Sequence, residues 1–438
     1  MMRKSLFGML AATTVACTPA ANVGVTPSRT PLQALRWSID SLVNQPMFAR
    51  TTLGFLVVDP KTGDTLYSHN AGKLFVPASN QKLLSGSVAL AQLGADYRYR
   101  TTFVTHGKIT NGVLDGDLIV IGRGDPTVSD RVKGNAMAFM QTVADSIAAK
   151  GIRRITGAVR PGGNVFPDSV YGYGWEWDDL RGESAAPVDE LELNEGMTVR
   201  TARINGRDTV VAVATDSPTN TYLAALIAGL NKRGVVIDHP AGPIDSLTAP
   251  ADTIYSFYSP PLRDILKSFL KPSQNQTGEA LIKTLGLEKT GVGMTDSGAV
   301  VIKRQLAAWG IDSTSTVIYD GSGMSRHDLV TPEAIVKILI GIQRDTAFAA
   351  FYDALPIVGV DGTVRTRMLG STAVGNIHAK TGTLEFVRSL SGYVTTAAGE
   401  KLVFSMLSNH YPGSVSDINK LQDAIGILLA NYRGTSRQ

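Results

Sequence analysis

The sequence predicts an α+β protein in which one antiparallel sheet, flanked by helices, is assembled from both ends of the chain. An apolar helical pattern and two β-prone runs lie near the amino terminus, while a three-strand meander and an amphipathic helix lie near the carboxyl terminus. Between them, residues 97–255 consist mainly of short β-like runs separated by glycine-rich turns. We therefore expect a discontinuous main domain, residues 31–96 and 256–438, interrupted by one or two smaller, mostly β domains.

The amino-terminal elements are a helix, a hairpin and a second, buried helix. Leucine and isoleucine recur every three or four residues over about 31–45, which predicts an amphipathic helix. Two β-prone runs, 52–58 and 65–69, flank the turn-forming stretch 59–64 and predict a hairpin. Pro77 and the apolar positions after it predict a helix that runs to about residue 93.

The remaining elements follow in two groups, first in the insertion and then toward the carboxyl terminus. In the insertion, strands are expected at 100–106, 113–121, 154–159, 198–202 and 209–214, and a helix at 136–149. Beyond it, helices are expected at 261–271, 278–285 and 298–309, strands at 377–383, 389–396 and 402–407, and a final helix over about 418–429. The last three strands form a meander that can pair with the amino-terminal hairpin, so both termini contribute to one sheet.

Composition and charge limit the classes of function. The 438 residues are 43% hydrophobic and 18% charged, which is typical of a folded soluble protein. The formal charge of +4 comes without a basic run longer than two residues, so we expect no nucleic-acid partner. The six histidines form no His-x-x-x-His or His-Glu-x-x-His pair, so we expect no metal site, and no cofactor is predicted.

The amino terminus resembles an export signal, which we place at residues 1–17. Two basic residues precede the apolar run 6–16, which is too short to span a bilayer. Cys17, the only cysteine, follows directly and excludes an intramolecular disulfide. The context resembles a bacterial lipoprotein signal, although Thr14 departs from the usual leucine. We expect a periplasmic protein anchored through a lipid on Cys17, with 18–30 as a tether, or alternatively ordinary cleavage nearby that leaves a free periplasmic protein.

Ser79 and Lys82 stand three residues apart at the start of the second predicted helix. Residues at this spacing share a helix face, so the serine hydroxyl and the lysine amine can meet. A serine whose proton is taken by a neighbouring amine is an activated nucleophile. The plain alternative is a helix-capping serine with a solvated lysine one turn further on, and Ser268 and Lys271 repeat the same spacing. The pair therefore needs support from other motifs.

Two further motifs supply that support, because Ser-x-x-Lys, Ser-x-Asn and Lys-Thr-Gly occur together in serine acyltransferases that bind penicillin. Lys-Thr-Gly occurs three times, but only Lys380-Thr381-Gly382 lies in a predicted strand that leads into the meander; Lys61 lies in a turn, and Lys289 follows a short helix. Of two Ser-x-Asn strings, the one at Ser68 precedes the nucleophile. The other, Ser273-Gln274-Asn275, lies in a proline-marked loop between helices that can aim side chains into a cleft.

With these motifs in place, the sequence over roughly 45–410 resembles the low-molecular-mass class C penicillin-binding proteins, the D-alanyl-D-alanine carboxypeptidase and endopeptidase family. Ser273 comes 194 positions after Ser79 (273 − 79), a separation similar to that in this family, which carries extra domains between the two motifs. Further strings that resemble the family are residues 111–118, 124–127, 174–179, 320–326 and 361–363. The resemblance implies a penicillin-binding, β-lactamase-like transpeptidase domain with the insertion between the first two motifs.

The resemblance also implies roles for the motif residues. Ser79 would attack the carbonyl of a terminal D-Ala-D-Ala bond in a peptidoglycan stem peptide, and Lys82 would take its proton. This requires a neutral Lys82, and we expect burial and the charge of Lys380 to lower its pKa. The backbone N–H groups of Ser79 and Thr383 would form the oxyanion hole. β-Lactam antibiotics would acylate the same serine as covalent inhibitors.

The other motif residues would hold the substrate. Ser273 and Asn275 would relay protons toward the leaving amine and hold the peptide backbone. The residues expected to bind the substrate along the Lys-Thr-Gly strand, including its terminal carboxylate, are Lys380, Thr381, Gly382 and Thr383.

Several positions outside these motifs are weighed separately. Asp179 matches the family's partner for the free amine of a diaminopimelate side chain; the alternative is an aspartate that satisfies a tight aromatic turn. Arg367 would contact the stem peptide. His378 would line the cleft or, alternatively, be a packed or solvated histidine. We interpret Asp125 and the string 320–323 as turns.

Several functional alternatives stay open at this point. A β-lactamase or a serine esterase on the same fold would use the same nucleophile with fast deacylation. A non-catalytic peptidoglycan-binding scaffold would use the inserted domains instead. The motifs assign no deacylation base, and they leave open the oligomeric state and the preference between carboxypeptidase and endopeptidase cleavage.

Overall fold

A five-stranded antiparallel sheet lies at the centre of the computed structural model, which describes residues 29–180 and 182–434. Two strands come from the amino-terminal part of the chain and three from the carboxyl-terminal part, so the predicted α+β fold is confirmed. The predicted signal, Cys17 and most of the predicted tether lie outside the described residues. Among the described helices, none combines the length and the apolar character needed to cross a membrane.

The elements of the main domain flank the insertion in the sequence. Before it come α1 (Pro31–Val43), β1 (Thr52–Val58), β2 (Thr65–His69) and α2 (Gln81–Leu93). The insertion contains β3 (Arg100–Thr105), β4 (Lys108–Thr110), β5 (Val113–Asp115), β6 (Leu118–Ile121), α3 (Asp130–Lys133), α4 (Ala136–Ala148), β7 (Arg154–Pro161), β8 (Met197–Ile204), β9 (Arg207–Ala214), α5 (Pro218–Lys232), β10 (Val236–His239) and β11 (Asp252–Tyr258). After it come α6 (Leu262–Leu270), α7 (Asn275–Thr290), α8 (Thr295–Ala308), β12 (Thr316–Val317), β13 (Leu329–Val330), α9 (Pro332–Ile342), α10 (Phe348–Ala354), β14 (His378–Leu384), β15 (Val387–Thr395), β16 (Lys401–Asn409) and α11 (Val415–Ala430).

The main sheet has the strand order β14-β15-β16-β1-β2, which leaves β14 at an edge. β1 and β16 join the two parts of the chain, pairing from Thr52 opposite Asn409 to Val58 opposite Val403. Successive residues of β1 point to opposite faces of the sheet and so pack in two different hydrophobic cores. Leu56 lies in the first core, and its neighbours on both sides lie in the second. Helices α2, α6, α7, α8 and α9 contribute to the first core and α1 and α11 to the second. Because both faces are covered, β1 and β16 are buried along almost their whole length.

Helix α2 is buried on all sides for most of its length, from Gln81 to Leu90. It starts directly after a 3₁₀ turn, Ala78–Asn80, and ends at Leu93, as the sequence predicts. A small residue, Gly86, lets α6 approach, because a β-carbon there would lie 3.3 Å from the ring of Phe269. The helix is therefore a rigid internal support for the serine at its beginning.

The insertion forms a second sheet with the order β11-β3-β6-β7-β5-β4, and β10 pairs with β7. Helices α4 and α5 pack together beside it, and β8 and β9 form a separate hairpin. The pattern did not predict α5, although its start carries an ordinary signal: Ser217 accepts a hydrogen bond as N-cap, and Pro218 follows at the first turn. β11 crosses the predicted boundary between residues 255 and 256 and pairs with β3 of the insertion.

Candidate active site

Ser79 lies in the 3₁₀ turn that precedes α2, next to the edge strand of the main sheet. The residue before it, Ala78, has a φ of +48°. This left-handed conformation costs a non-glycine residue roughly 1–2 kcal/mol, so the surroundings must impose it. Part of that support comes from Asn80, whose Nδ2 donates to the carbonyl oxygen of Lys380 at 2.9 Å. The serine is thus fastened directly to the strand that carries the third motif.

The Lys82 amine has three oxygen neighbours. Its Nζ lies 2.9 Å from Ser79 Oγ, 2.5 Å from Asn275 Oδ1 and 2.7 Å from the carbonyl oxygen of Ser322. The amide and carbonyl oxygens accept hydrogen bonds only. A neutral amine has two N–H groups, which match these two acceptors and leave its lone pair for the Ser79 hydroxyl. The geometry is therefore that of a base facing a nucleophile.

The pKa of Lys82 is lowered to about 7, chiefly because the side chain is fully buried. The negative charge of Asp320, and that of Glu279 when it is ionised, oppose this shift. The pKa of Lys380 is lowered well below its usual value, first by burial and then by the charge of Lys82. Burial therefore acts on both lysines, and repulsion between them disfavours the state in which both are charged.

Ser273 meets Lys380 across the cleft. Lys380 Nζ donates to Ser273 Oγ at 2.8 Å and to the carbonyl oxygen of Thr381 at 2.9 Å. Ser273 lies in the loop between α6 and α7 with a φ of +66°, a left-handed conformation that serine rarely adopts. The structure therefore brings Ser273 to the Lys-Thr-Gly strand while the next helix begins at Asn275.

Gly382 of the third motif lies where the structure leaves no room for a side chain. A β-carbon at this position would overlap Ser389 Oγ and would lie 2.7 Å from the carbonyl oxygen of Pro77 and 2.9 Å from the backbone nitrogen of Ser79. β14 therefore passes very close to the backbone of residues 77–79. Ser389 Oγ on the neighbouring strand β15 donates to Pro77 O at 2.8 Å and helps to hold this arrangement. Glycine in a strand often marks such a close backbone approach.

The outer edge of β14 presents backbone groups beside Ser79. Near its start, the Ala379 N–H donates across this edge to the carbonyl oxygen of Pro356 at 2.9 Å. Backbone groups of alternate residues in a strand point to the same side, so we infer that the Thr383 N–H also faces the outer edge. This orientation fits the predicted oxyanion hole, in which Thr383 and Ser79 each contribute an N–H group.

A backbone carbonyl of the inserted segment holds the side chain of Asn275. Its Nδ2 donates to the carbonyl oxygen of Ser184 at 2.7 Å, while its Oδ1 accepts from Lys82. The next residue, Gln276, donates from Nε2 to the carbonyl oxygen of Glu183 at 2.9 Å. Backbone carbonyls of the insertion thus fix which way the Asn275 amide faces, and the insertion forms part of the candidate site.

Two buried carboxylates below Lys82 were not identified from the sequence. Glu279 accepts from the Gly321 N–H at 3.2 Å, and Asp320 Oδ1 accepts from the Gly323 N–H at 2.6 Å. Both hold the loop whose Ser322 carbonyl contacts Lys82. Glu279 follows Asn275 by four residues on α7, a spacing that places both on one helix face and could have indicated it. Asp320 is fully buried, which the composition of its turn does not reveal.

A pocket of about 500 Å³ extends from the edge strand toward the insertion. Its lining includes Thr383, Asp179, Asp178, Glu176 and Arg326. The pKa of Asp179 is raised by partial burial and by the neighbouring charges of Asp178 and Glu176, whereas Arg326 acts in the opposite direction. Arg326 Nε itself donates to Glu176 at 2.9 Å. The structure therefore brings Asp179 into the cleft together with an arginine that the sequence did not single out.

Two other candidates lie away from this constellation. Arg367 is bound by α11, with NH2 2.6 Å from Asp423 Oδ1, and the structure does not bring its side chain to the catalytic set. The ring of His378 stacks on Tyr352 with centroids 4.0 Å apart, as the packed alternative predicts. Asp125 accepts from the Thr127 N–H at 2.9 Å within a turn. Among the described residues, His, Cys, Asp and Glu side chains form no group of three or more placed to hold a metal ion.

A serine–lysine pair at the edge of an antiparallel sheet, completed by Ser-x-Asn and Lys-Thr-Gly, defines a serine peptidase of the penicillin-binding type. The model of the D-Ala-D-Ala carboxypeptidase 3 (S13) family matches residues 35–221 and 204–432. The chain belongs to this family. It is 30% identical, over 96% of its length and 90% of the relative's, to a D-alanyl-D-alanine carboxypeptidase of Actinomadura sp.. It is 26% identical to the D-alanyl-D-alanine carboxypeptidase DacB of Haemophilus influenzae, over 82% of this chain and 86% of that protein.

Solved structures share the fold. Penicillin binding protein 4 (dacB) from Haemophilus influenzae superposes with a TM-score of 0.80 at 23% identity, covering 90% of this chain and 99% of that one. A predatory peptidoglycan endopeptidase from Bdellovibrio bacteriovorus gives a TM-score of 0.56 at 18% identity, covering 85% and 91% of the two chains. The resemblance found in the sequence and the penicillin-binding fold it implies are therefore confirmed.

Proposed function

We propose that this enzyme hydrolyses D-alanyl-D-alanine bonds of peptidoglycan stem peptides, and the equivalent cross-links, through an acyl-enzyme on Ser79. The observation that carries the proposal is the arrangement of Lys82, whose amine lies 2.9 Å from Ser79 Oγ with two acceptors on its other sides. Membership of a D-Ala-D-Ala carboxypeptidase family supports the substrate class. β-Lactams carry a reactive amide carbonyl and a carboxylate, so they would acylate the same serine.

In the acylation step, Ser79 Oγ attacks the carbonyl carbon of the penultimate residue and its proton moves to Lys82 Nζ. The oxyanion is stabilised by the N–H groups of Ser79 and Thr383, a contribution that is typically several kcal/mol. When the C–N bond breaks, the leaving amine must gain a proton. Ser273 Oγ, bonded to Lys380 Nζ at 2.8 Å, is placed to pass it on.

Deacylation reverses the same transfers with water in place of the amine. Water attacks the ester carbonyl, one of its protons moves to Lys82, and Ser79 regains a proton as its C–O bond breaks. Lys82 is the base we assign to this step, because it lies within hydrogen-bonding distance of Ser79 Oγ. Its pKa of about 7 leaves a large neutral fraction at neutral pH.

The pocket beyond Thr383 supports selection of the stem-peptide side chain. Asp179 and Arg326 both line it and carry opposite charges, which suits a side chain that bears an amine and a carboxylate. We assign Asp179 to the amine, as the resemblance implies. Arg367 receives no role, because its guanidinium is occupied by α11.

The proposed location follows from the sequence. Residues 1–17 would direct export, and a lipid on Cys17 would anchor the enzyme at a membrane in the periplasm, where its substrate lies. Palmitate labelling of cells that express the full chain tests this, with Cys17→Ala as the control. Equal labelling of both chains would contradict it.

The proposed activity is tested by acylation and by product release. We expect a fluorescent penicillin to label the wild-type protein on the peptide that contains Ser79, and not to label Ser79→Ala. Ser268→Ala is the matched control, because Ser268 has the same spacing to a lysine but donates to a backbone carbonyl of its own helix. We also expect D-alanine release from a synthetic pentapeptide. Label on Ser79→Ala would place the nucleophile elsewhere.

The same experiment separates the alternatives. A long-lived adduct together with D-alanine release supports the peptidase. Rapid turnover of penicillin without peptide cleavage would favour a β-lactamase, and absence of any adduct would favour a non-catalytic scaffold.

A further inference from the structure

Thr363 places an additional hydroxyl group at the lysine end of the cleft. Its Oγ1 lies 2.6 Å from Thr381 Oγ1. Thr381 is also the residue whose carbonyl accepts from Lys380 Nζ, and the same Nζ binds Ser273. Thr363 belongs to none of the three motifs, yet it extends their cluster of hydroxyl and amine groups.

The loop that carries Thr363 is firmly braced. Asp361 Oδ2 pairs with Lys271 Nζ at 2.6 Å, and the Thr363 N–H donates to the carbonyl oxygen of Lys271 at 3.1 Å. Gly362 has a φ of +60°, and a β-carbon there would lie 2.7 Å from that same carbonyl oxygen. Because Lys271 precedes Ser273 by two residues, the loop is fixed to the segment that supplies the second motif.

The chain just before this loop covers the outer edge of β14, but only at the beginning of the strand. Ile357 pairs with His378 in a β-bridge, and the Ala379 N–H donates to the carbonyl oxygen of Pro356. An extended substrate that pairs with this edge must therefore lie beyond Ala379. Thr363 stands where the covered part meets the open part, which is where the end of such a substrate would come to rest.

The hydroxyl pair suits a carboxylate ligand. When two hydroxyl groups are hydrogen-bonded, one proton lies between their oxygens and the other remains available for a further acceptor. When Thr363 donates to Thr381, the Thr381 proton is free for the substrate, and the charged acceptor strengthens both bonds. The neighbouring Lys380 makes this end of the cleft cationic whenever it is protonated.

We propose that Thr363 is a specificity-determining residue that, by orienting the Thr381 hydroxyl, makes the site select ligands that end in a free carboxylate. This inference rests on the proposed function, because it names how that site recognises its substrate. The ligand chemistry is a carboxylate next to the scissile amide, whether it belongs to a stem peptide or to a penicillin.

The test compares Thr363→Val with Thr363→Ser on two peptides, one ending in D-Ala-D-Ala and one with the same sequence ending in a carboxamide. We expect Thr363→Val to lower the ratio of kcat/KM for the acid over the amide about ten-fold, because the Thr381 hydroxyl loses the partner that leaves its proton free for the carboxylate. The loss should appear mainly in KM, and Thr363→Ser should restore the ratio. Thr366→Val, an exposed threonine three residues away, is the matched control.

The outcomes separate this inference from the proposed function. Failure of the wild-type enzyme to release D-alanine would contradict the proposed function. If peptide hydrolysis is too slow to measure, the second-order rate of acylation by benzylpenicillin replaces it and should fall in Thr363→Val and recover in Thr363→Ser. An equal loss on acid and amide peptides, no loss at all, or a loss that serine does not restore would overturn the role of Thr363 while leaving Ser79 as the nucleophile.

Discussion

The indole Nε1 of Trp175 donates to Asp320 Oδ2 at 3.0 Å, a contact that joins the inserted segment to the loop beneath Lys82. Asp320 Oδ2 also accepts from the Ser325 N–H at 2.7 Å. Two residues after Asp320, the carbonyl of Ser322 receives a hydrogen bond from Lys82. The insertion therefore helps to hold Lys82, the proposed base, in addition to lining the pocket beside Thr383.

Replacing this indole should impair the chemical step. We expect Trp175→Phe to slow acylation by a fluorescent penicillin about ten-fold. The variant loses the hydrogen bond to the Asp320 carboxylate, and a hydrogen bond to a charged group is worth about 1.5–3 kcal/mol. The thermal midpoint should fall by a few degrees as well. Trp177→Phe is the control, since Trp177 is 83% exposed. Equal rates in the two variants would show that the contact does not position Lys82.

The rate of acylation should depend on pH through Lys82. Its pKa of about 7 predicts that the second-order rate constant for penicillin rises with pH and levels off above about 7, because only the neutral amine accepts the serine proton. Lys82→Arg, which stays protonated, should remain inactive over the whole range. Stopped-flow measurements between pH 5.5 and 9 at constant ionic strength check this. A flat profile would mean that another group is the base.

Replacing the motif glycine should abolish acylation through a steric effect. In Gly382→Ala the new methyl group would lie within 3 Å of Pro77 O and the Ser79 nitrogen, so the edge strand must move away from the nucleophile. We expect a loss of at least about 100-fold, since small misplacements at a reacting centre have effects of this size. Gly72→Ala is the matched control, because nothing lies within 4 Å of the added carbon. Similar rates in both variants would contradict the close approach.

The sequence indicated the motif residues that meet in the candidate site better than it indicated the residues that hold them. Ser79 with Lys82, and Lys380 with Thr381, are neighbours in short strings, so their order along the chain was enough to select them from several copies. Trp175 and Asp320 lie 145 positions apart, and no local pattern records that they meet. Asp320 was interpreted as a turn residue, and its complete burial follows only from tertiary packing.

The fold shows the same division. The carboxyl-terminal meander was predictable because three β-prone runs follow one another with short turns between them. The end of the insertion was not predictable in this way. In the sequence β11 lies at the predicted junction, but its hydrogen bonds pair it with β3 of the insertion. Pairing between distant strands decides such a boundary, and a single sequence contains no direct record of it.

The stability of the enzyme should depend on pH through Glu279. Burial raises the pKa of this carboxyl group to about 8, and the charge of Asp320 adds to the shift. Between the usual glutamate value of about 4.3 and this raised value, the folded protein keeps a proton that the unfolded chain releases, so folding stability must fall as pH rises. Glu279→Gln lacks the ionisable group and escapes this loss. The difference in thermal midpoint, variant minus wild type, should therefore increase with pH across this window and then level off, corresponding to a few kcal/mol in unfolding free energy.

Thermal unfolding of both proteins between pH 5 and 9 measures this difference directly. Glu333→Gln is the surface control, since Glu333 is half exposed and pairs with Lys337 one turn away at 2.7 Å. Its midpoint difference from the wild type should not show the same rise. If Glu279→Gln is instead equally destabilising at every pH, the carboxyl acts as a plain hydrogen-bond acceptor for the Gly321 N–H. In that case its proton has no part in holding the loop beneath Lys82, and burial alone must keep the amine neutral against the charge of Asp320.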